Sequence, residues 1–480
     1  MPTSTRRLTR WAVAAAGALT LGLFGAAAPA SAQPNIDPDD KGMLTIHKFE
    51  EPVGGGVEHD GSELSDGDTA GLQPLNGVEF TVRRVNDADL SVNQGWEWVE
   101  ARVGASVDPD ELDLGPGITG VTGSGGTDGV ATFPNLELGV YLVTESDHGD
   151  HNIVRSVAPF LVTVPMPTGD NTWNYDVHVY PKNSVTHVEK DVDDSEAYVL
   201  GDEVHWPVTV AVPRLPSGET FERFVITDEL DPRLAYVGAE VTLHDSADAS
   251  VPLESGDYEI THADGTVTLT FTEDGLEVLD GAQGGEVALT ITTTVESIDD
   301  TVGTSHGVII NDALVEINDF EVRTNDAETH WGALKIVKFA NDGQDRSYLE
   351  GAEFQIFLTE SDAAEETNAL EFDGSATLTT NDAGEILVPG LKAGDYWIVE
   401  TKAPLGYTGV EEPIGPITVT AGSVAGAKVV DVENEQKPPF ELPLTGAAGT
   451  VLFSIAGLGL IAIAAGAALR HRSRSARATS

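Results

Sequence analysis

Two stretches of the chain, GVATFPNLELGVYLVTE at 129–145 and GEILVPGLKAGDYWIVE at 384–400, align with each other without a gap. Two glycines, a proline, a leucine, a tyrosine and the final glutamate coincide. Upstream, LNGVEF at 75–80 matches LEGAEF at 349–354, so the order of the matches is preserved. The repeat predicts that the first and third parts of the chain share one fold. Two copies around a different middle part indicate a string of domains rather than a solenoid.

Alternating apolar and polar residues predict the type of fold. VTLTF at 267–271 and VALTIT at 287–292 have the period of half-buried strands. Gly, Asp and Asn separate many such short runs, and no long stretch between the two ends of the chain has a helical period. We therefore predict an all-β protein of three tandem immunoglobulin-like β-sandwich domains.

The composition narrows the function. The 480 residues include 26 Lys and Arg against 79 Asp and Glu, which gives a formal net charge of −53. A surface this acidic repels nucleic acid and anionic lipid, so nucleic-acid binding is excluded. There is no cysteine, although exported proteins commonly use disulfides. Any covalent cross-link within the domains therefore needs another chemistry.

The first residues have the pattern of a secretory signal peptide. Arginines at positions 6, 7 and 10 precede an apolar run of small residues at 11–28, which ends on Ala30-Ser31-Ala32. That ending suits a signal peptidase, so we predict that residues 1–32 are removed and that Gln33 begins the mature chain. A permanent N-terminal anchor helix is the alternative.

The last residues combine three features in a fixed order. Leu442-Pro443-Leu444-Thr445-Gly446 comes first, an uncharged stretch at 447–469 is long enough to span a bilayer as a helix, and a basic tail begins at Arg470. This order resembles the LPxTG cell-wall sorting signal of Gram-positive bacteria. The resemblance implies that a sortase cysteine attacks the Thr445 carbonyl and releases Gly446 onward. A plain C-terminal membrane anchor is the alternative.

The third module contains YWIVETKAPLGY at 396–407, with LKIVK at 334–338 before it and VVDVEN at 429–434 after it. These segments resemble the E-box, the first strand and the last strand of collagen-binding-B-type domains, which occur in Gram-positive surface proteins and pilins. The middle module, from VEKDV at 188–192 to IINDA at 309–313, is similar to the middle domain of three-domain pilins. We predict domains at residues 33–183, 184–330 and 331–441, followed by the sorting signal at 442–480.

In these families a Lys on the first strand and an Asn on the last strand join through their side chains, beside a carboxyl group. Burial favours the neutral forms of the amine and the acid, so the amine attacks a carboxamide that the acid polarises, and ammonia leaves. Because this is one-time self-processing, the chain is not expected to be an enzyme or to need a cofactor. The resemblance implies three sets, each with its catalytic acid last: Lys338, Asn434 and Glu400; Lys190, Asn311 and Asp228; Lys48, Asn183 and Glu145.

Two of these sets stay open at the level of sequence. In the middle module, Glu229 and Asn318 are alternatives to Asp228 and Asn311. In the first module, the residues after Glu145 depart from the E-box, and many relatives lack a bond there. The three residue types are present at suitable places, but whether this module forms a bond is left undecided.

A further motif lies at the end of the first module, in WNYDVHVYPKN at 173–183. It resembles the pilin motif, in which a Lys after Tyr-Pro is the amine that resolves the sortase acyl-enzyme. Strand alternation places two of the motif's valines on one face, and the proline stops the strand. The resemblance implies that Lys182 of one subunit attacks Thr445 of the next and makes an open head-to-tail polymer. The matching residues are Trp173, Val177, Val179, Tyr180, Pro181 and Lys182.

The sequence thus predicts the major shaft subunit of a sortase-assembled pilus, secreted, attached to the cell wall and active in surface adhesion. Its expected partners are pilin-specific and housekeeping sortases, other copies of itself, tip or minor pilins, and peptidoglycan. A monomeric wall-anchored adhesin with isopeptide-stabilised stalk domains is the main alternative. We expect no metal site, since the histidines at 148 and 151 belong to a predicted turn. A hydrolase has little support because the serines and histidines are scattered along the chain.

Overall fold

The computed structural model describes residues 36–37, 39–52, 60–168, 172–299, 305–342, 345–438 and 458. The predicted signal peptide and the sorting motif with Thr445 lie outside these residues, as does the predicted membrane span apart from Leu458. Within the described part of the chain, no helix is both long enough and apolar enough to cross a bilayer.

The chain forms two compact units. One takes the residues up to Ala333 together with Pro389–Gly394 and Val419–Ala427, and it contains the first two predicted modules. The other takes Leu334–Val388, Asp395–Thr418 and the segment from Lys428 onward. Continuous strands run across both predicted module boundaries, at 183/184 and 330/331.

The first module is a β-sandwich whose strand β1 lies between β11, which is parallel to it, and the antiparallel β5. The facing sheet has the order β4-β3-β6-β8. Alternate residues of β1 and β3, such as Leu44 and Phe80, fill the core between the sheets. The elements are β1 Lys41–His47, β2 Phe49–Glu50, β3 Glu79–Val85, α1 Asn93–Glu100, β4 Leu114–Val121, β5 Val130–Glu137, β6 Gly139–Asp147, β7 Ile153–Arg155, β8 Phe160–Val164, β9 Met166–Pro167, β10 Trp173–Asn174, β11 Asp176–Val179 and β12 Lys182–Val185.

The middle module packs two antiparallel sheets, with orders β13-β14-β20-β16-β17 and β18-β19-β15-β22-β23. Every second residue of β14 and β20 is buried, so the alternation in the sequence is confirmed. Trp206 lies fully buried in this core and donates its indole N–H to Thr293 Oγ1 at 2.9 Å. The elements are β13 Val188–Lys190, β14 Glu203–Ala211, β15 Phe224–Glu229, β16 Leu234–His244, β17 Ser250–Val251, β18 Tyr258–Ala263, β19 Thr266–Phe271, α2 Glu273–Gly281, β20 Glu286–Val295, β21 Val308–Asn311, β22 Ala313–Ile317 and β23 Phe320–Arg323.

The third module repeats the plan of the first. Its strand β24 pairs with β32 in parallel and also with β28, and the facing sheet has the order β27-β26-β29-β31. Short 3₁₀ helices lie at Pro109–Glu111 and Val424–Gly426. The elements are β24 Ala327–Asp342, β25 Asp345–Tyr348, β26 Glu353–Phe357, α3 Glu360–Glu365, β27 Leu378–Thr379, β28 Glu385–Lys392, β29 Gly394–Lys402, β30 Tyr407–Thr408, β31 Ile414–Val419, β32 Lys428–Glu433 and β33 Glu435–Gln436.

The two copies of the sequence repeat form the same hairpin in the two modules, β5–β6 and β28–β29. The glycine that opens each copy has a positive φ, +69° at Gly129 and +72° at Gly384. Each accepts a hydrogen bond from the backbone N–H of a lysine in a predicted cross-link set, Lys48 at 2.7 Å and Lys338 at 2.8 Å. A Cβ at either glycine would come within 2.7 Å of that lysine's carbonyl oxygen. Glycine is therefore required here by both backbone conformation and space.

Candidate isopeptide sites and linkage strand

In the third module, the predicted lysine, asparagine and glutamate meet in the core. Lys338 Nζ donates to Glu400 Oε2 at 3.0 Å and also hydrogen-bonds Asn434 Oδ1. Asn434 Nδ2 donates to Glu400 Oε1 at 2.8 Å. Lys338 is fully buried, and burial lowers its pKa even though the neighbouring Glu400 opposes the shift. The amine therefore lies against the carboxamide, with the acid contacting both.

Strand geometry explains this convergence. Parallel pairing sets Lys338 of β24 opposite Val432 of β32, and the chain continues to Asn434, whose N–H donates to the carbonyl of Phe339 at 2.9 Å. On the facing sheet, Phe354 and Glu400 are register partners beside a β-bulge. The Phe354 ring lies 5.6 Å from Lys338 Nζ and supplies part of its apolar surroundings.

The first module contains the same arrangement. Lys48 Nζ donates to Glu145 Oε2 at 2.8 Å and to Asn183 Oδ1 at 2.5 Å, while Asn183 Nδ2 donates to Glu145 Oε1 at 2.6 Å. Phe80 pairs with Glu145 beside a bulge, and its ring lies 5.7 Å from Lys48 Nζ. Burial lowers the pKa of Lys48 to about 8. The structure thus brings together the set that the sequence left undecided.

The two sites differ in one backbone contact. In the first module, the Val157 N–H donates to Asn183 Oδ1 at 2.8 Å, so it points at the oxygen of the carboxamide. In the third module, the Val410 N–H donates to Glu400 Oε2 at 2.8 Å, so it points at the acid. Neither contact could be predicted from the sequence, because both donors lie in loops outside the aligned segments.

The middle module has a different arrangement. Lys190 and Asp228 are both fully buried and form an ion pair. Burial lowers the pKa of Lys190 and raises the pKa of Asp228. Asn311 lies beside Asp228 with 2% of its surface exposed. Its side chain lies close enough to Asp228 to favour the charged carboxylate, yet neither of its polar atoms makes a well-formed hydrogen bond within the described part of the chain. Buried carboxamides are rarely left unpaired.

The alternatives for the middle module lie elsewhere. Glu229 is exposed, at the end of β15. Asn318 has a positive φ of 52°, and its Oδ1 accepts the backbone N–H groups of Glu222 and Arg223 at 2.8 and 3.1 Å. These contacts account for Asn318 as a turn residue. Asp228 and Asn311 are therefore retained as the proposed pair.

The residues of the proposed pilin motif lie on β10, on β11, at the start of β12 and, for Tyr180 and Pro181, between β11 and β12. Val177 and Val179 of β11 are buried, and the strand stops before Pro181. Lys182 begins β12 and is half-buried, whereas the next residue, Asn183, points into the core. Trp173 packs against Trp96 with ring centroids 5.1 Å apart. The lysine proposed for linkage between subunits is thus the chain neighbour of the asparagine proposed for linkage within the module.

Tyr180 and Glu51 lie close to Lys182. The Tyr180 hydroxyl accepts the Leu64 N–H at 2.7 Å, and its ring stacks on Phe49, the register partner of Lys182. Burial raises the pKa of Glu51, and the positive charge of Lys182 opposes that shift. The strand before Lys182 is therefore fixed by packing, and a carboxyl group lies near the amine.

Family profiles match most of the chain. They are the Gram-positive pilin subunit D1 N-terminal domain at residues 39–184, the cell surface antigen I/II C2 terminal domain at 181–331, a prealbumin-like fold domain at 332–436 and the LPXTG cell wall anchor motif at 434–474. The last profile covers the sorting motif, which lies outside the described residues.

Curated relatives and a solved structure agree with these profiles. The fimbrial subunit type 2 of Actinomyces naeslundii is 33% identical over 99% of this chain and 98% of its own length. The type 1 subunit of Actinomyces viscosus is 30% identical over 96% of both. The full-length major pilin SpaD of Corynebacterium diphtheriae superposes with a TM-score of 0.64 at 26% identity, covering 84% of this chain and 99% of that one.

A string of β-sandwiches with buried Lys–Asn–acid sets and a C-terminal wall-anchor motif defines a surface pilus protein of Gram-positive bacteria. The chain belongs to the family of LPxTG-anchored major pilins, the fimbrial subunits. It is a cell-wall-anchored structural subunit and not an enzyme.

Proposed function

We propose that this pilus subunit forms the covalent shaft, with Lys182 of one copy joined to Thr445 of the next. A sortase thiol would displace Gly446 from Thr445 and form a thioester. The neutral Lys182 amine would then attack the thioester carbonyl, form an amide and release the thiol. The observation that carries the proposal is the position of Lys182 at the head of β12, after the strand break at Pro181 and beside Glu51.

We also propose an internal amide bond in each of the three modules. In the third module, Glu400 contacts Lys338 through Oε2 and the Asn434 nitrogen through Oε1. It is therefore placed to take a proton from the amine and return it to the departing nitrogen. The Lys338 nitrogen bonds to Cγ of Asn434, and ammonia leaves. The same geometry supports a bond in the first module, and the buried Asn311 beside the Lys190–Asp228 pair supports one in the middle module.

The remaining partners follow from this chemistry. A pilin-specific sortase would join the copies and add a tip or minor pilin, and a housekeeping sortase would transfer the finished polymer to peptidoglycan. The first step needs Lys182, whereas wall anchoring of a single copy needs only Thr445. A substitution of Lys182 therefore separates a shaft subunit from a monomeric wall-anchored adhesin.

The test is a Lys182→Arg substitution in the native host, followed by electrophoresis of wall extracts. We expect the high-molecular-weight ladder to collapse to single wall-linked subunits, because arginine stays protonated and cannot attack. Lys41→Arg is the matched control, since Lys41 is an exposed lysine of the same module, and the ladder should persist. A ladder that survives Lys182→Arg would overturn the shaft proposal in favour of the adhesin.

A further inference from the structure

Two histidines and a glutamate meet on the outer side of the strand that leads to Lys182. His47 ends β1 and His178 lies on β11, and the parallel pairing of these strands sets their side chains on one face. The Nε2 atom of His47 is 2.8 Å from Nδ1 of His178. The carboxylate of Glu63 joins them, so that one ligand atom of each residue lies within 4.8 Å of the others.

A second carboxylate orients this cluster. Asp176, two residues before His178 on the same strand, places its Oδ1 3.3 Å from His178 Nε2. This contact favours a proton on Nε2 and leaves the lone pair of Nδ1 directed at His47. Metal-ligating histidines typically donate their second ring nitrogen to such a carboxylate. The His47 ring is held in addition by stacking on Tyr180, with centroids 4.6 Å apart.

The segment that carries Glu63 is fixed against β11 on both sides of the glutamate. The carbonyl of Gly61 accepts the backbone N–H of His178 at 2.9 Å and the side-chain amide of Asn174 at 2.7 Å. Beyond the glutamate, the Leu64 N–H donates to the Tyr180 hydroxyl at 2.7 Å. Glu63 itself is exposed, so its carboxylate is held near the histidines by backbone contacts and remains open to solvent.

We propose that His47, His178 and Glu63 form a binding site for a divalent transition metal, with zinc as the best-suited ion. Two imidazole nitrogens and one carboxylate are a ligand set that zinc takes in proteins, and the exposed side leaves a fourth position for water. Zinc–nitrogen bonds of about 2.0 Å put two ligating nitrogens about 3.3 Å apart on a tetrahedral ion. The histidines therefore need to separate by only about half an ångström.

The position of the site gives binding a structural effect. The metal would join β1, β11 and the Gly61–Leu64 segment, which are otherwise connected here by hydrogen bonds and ring stacking. Lys48 follows His47 directly, and Lys182 lies four residues after His178. The ion would thus bind the outer face of β11, the strand that precedes the proposed linkage amine.

The test is a titration of the full-length chain, purified in detergent, with Co²⁺ as a spectroscopic substitute for zinc. We expect one equivalent to give saturable visible absorption, and Zn²⁺ to displace it while Ca²⁺ in excess does not. His178→Gln should abolish the absorption. Asp176→Asn should weaken binding by about 10- to 100-fold, and Glu63→Gln by about tenfold or more. His262→Gln, an exposed histidine of the middle module, is the control and should bind as the unaltered chain does.

Absence of saturable absorption from the unaltered chain would overturn the proposal, as would equal affinity in the chain and in its Glu63→Gln and Asp176→Asn variants. These two exposed residues keep the test valid if His178→Gln fails to fold. A second measurement is hydrogen exchange: Zn²⁺ should slow exchange of the Gly61–Leu64 amides in the unaltered chain but not in Glu63→Gln. Unchanged exchange in both would contradict a site that joins this segment to β11.

Discussion

The first and third modules contain the same buried Lys–Asn–Glu triangle, but a loop N–H donates to the asparagine in the first module and to the glutamate in the third. Val157 donates to the Asn183 oxygen in the first module, whereas Val410 donates to the Glu400 carboxylate in the third. A donor on the carboxamide oxygen stabilises the negative charge that develops there when the amine attacks. A donor on the carboxylate stabilises the charged acid instead.

For the proposed amide bonds, this difference predicts that different groups assist bond formation in the two modules. In the first module, the Val157 N–H polarises the Asn183 carboxamide, so Glu145 is expected to contribute less to the rate of bond formation. The third module has no such backbone donor on Asn434 among the described contacts, so it depends more heavily on Glu400. The sequence repeat contains the glutamate of each triangle, whereas the two backbone donors lie in loops that are not part of the repeat.

The largest effect is expected from Glu400→Gln. Without the acid, no group moves the proton from Lys338 to the departing nitrogen, so the bond should not form. By analogy with a disulfide closing a loop of about a hundred residues, the loss should lower the free energy of unfolding by about 4 to 5 kcal/mol. Mass spectrometry of tryptic digests should lose the branched peptide that joins Lys338 to Asn434, and the melting temperature should fall.

Glu433→Gln is the control for this substitution. Glu433 precedes Asn434, but its side chain is exposed and accepts only the Asn341 amide at 2.7 Å among the contacts described. The branched peptide should remain. If it also remained in full amount in Glu400→Gln, the proposed role of the acid in the third module would be wrong.

Glu145→Gln in the first module should have the next largest effect. The Val157 N–H still polarises the Asn183 carboxamide, so the bond should form slowly rather than fail. One such donor typically changes a rate by about a hundredfold, so the branched peptide of Glu145→Gln should accumulate with time while none appears in Glu400→Gln. A time course in the newly made, purified chain measures both rates. Equal rates would remove the distinction drawn between the modules.

Asn434→Ala should have a smaller effect, on the pH dependence of the free energy of unfolding. In this variant Lys338 cannot form the proposed bond and remains a free amine. Burial lowers the folded-state pKa of Lys338, while the unfolded chain keeps the ordinary value. Between those two values the unfolded chain binds more protons, so stability should rise with pH. At pH values below the folded-state pKa of Lys338, the free energy of unfolding is lowered by the full cost of burying the ammonium. In the bonded chain the same nitrogen is an amide and does not titrate.

The stability difference between Asn434→Ala and the unaltered chain should therefore narrow as the pH rises toward the ordinary lysine pKa of about 10.4. Chemical denaturation at a series of pH values measures it. A difference that stayed constant or widened over this range would contradict the burial of a free amine at this position.

The smallest effect is expected from His148→Ala. His148 Nε2 lies 3.6 Å from Glu145 Oε1 and its side chain is 45% exposed, while the aligned residue of the third module is Ala403. Exposed ion pairs contribute about 0 to 1 kcal/mol, so the rate of bond formation should change less than about fivefold. A larger change would assign His148 a part in the chemistry that the third module lacks.

Much of this architecture was predictable because local patterns repeat. The alternation in β19 and β20 follows from the period of a half-buried strand. The Gly129–Glu145 repeat begins with a glycine because the backbone conformation at that position favours glycine. The Val157 and Val410 donors were not predictable, because loop conformation decides which atom an N–H reaches. The group of His47, Glu63 and His178 was missed because its members lie on separate segments that only the parallel pairing of β1 with β11 brings together.

The adjacency of Lys182 and Asn183 has a mechanical consequence for a shaft built as proposed. Tension applied between Lys182 and Thr445 would not pass through the first module, so that module would bear no load. Along the path of this tension, amide bridges from Lys190 to Asn311 and from Lys338 to Asn434 would bypass the two remaining sandwiches. Only the short backbone stretches 182–190, 311–338 and 434–445 would be stretched. The proposed bond between Lys48 and Asn183 would then attach the unloaded first module to the loaded chain, next to the residue that is joined to the following subunit.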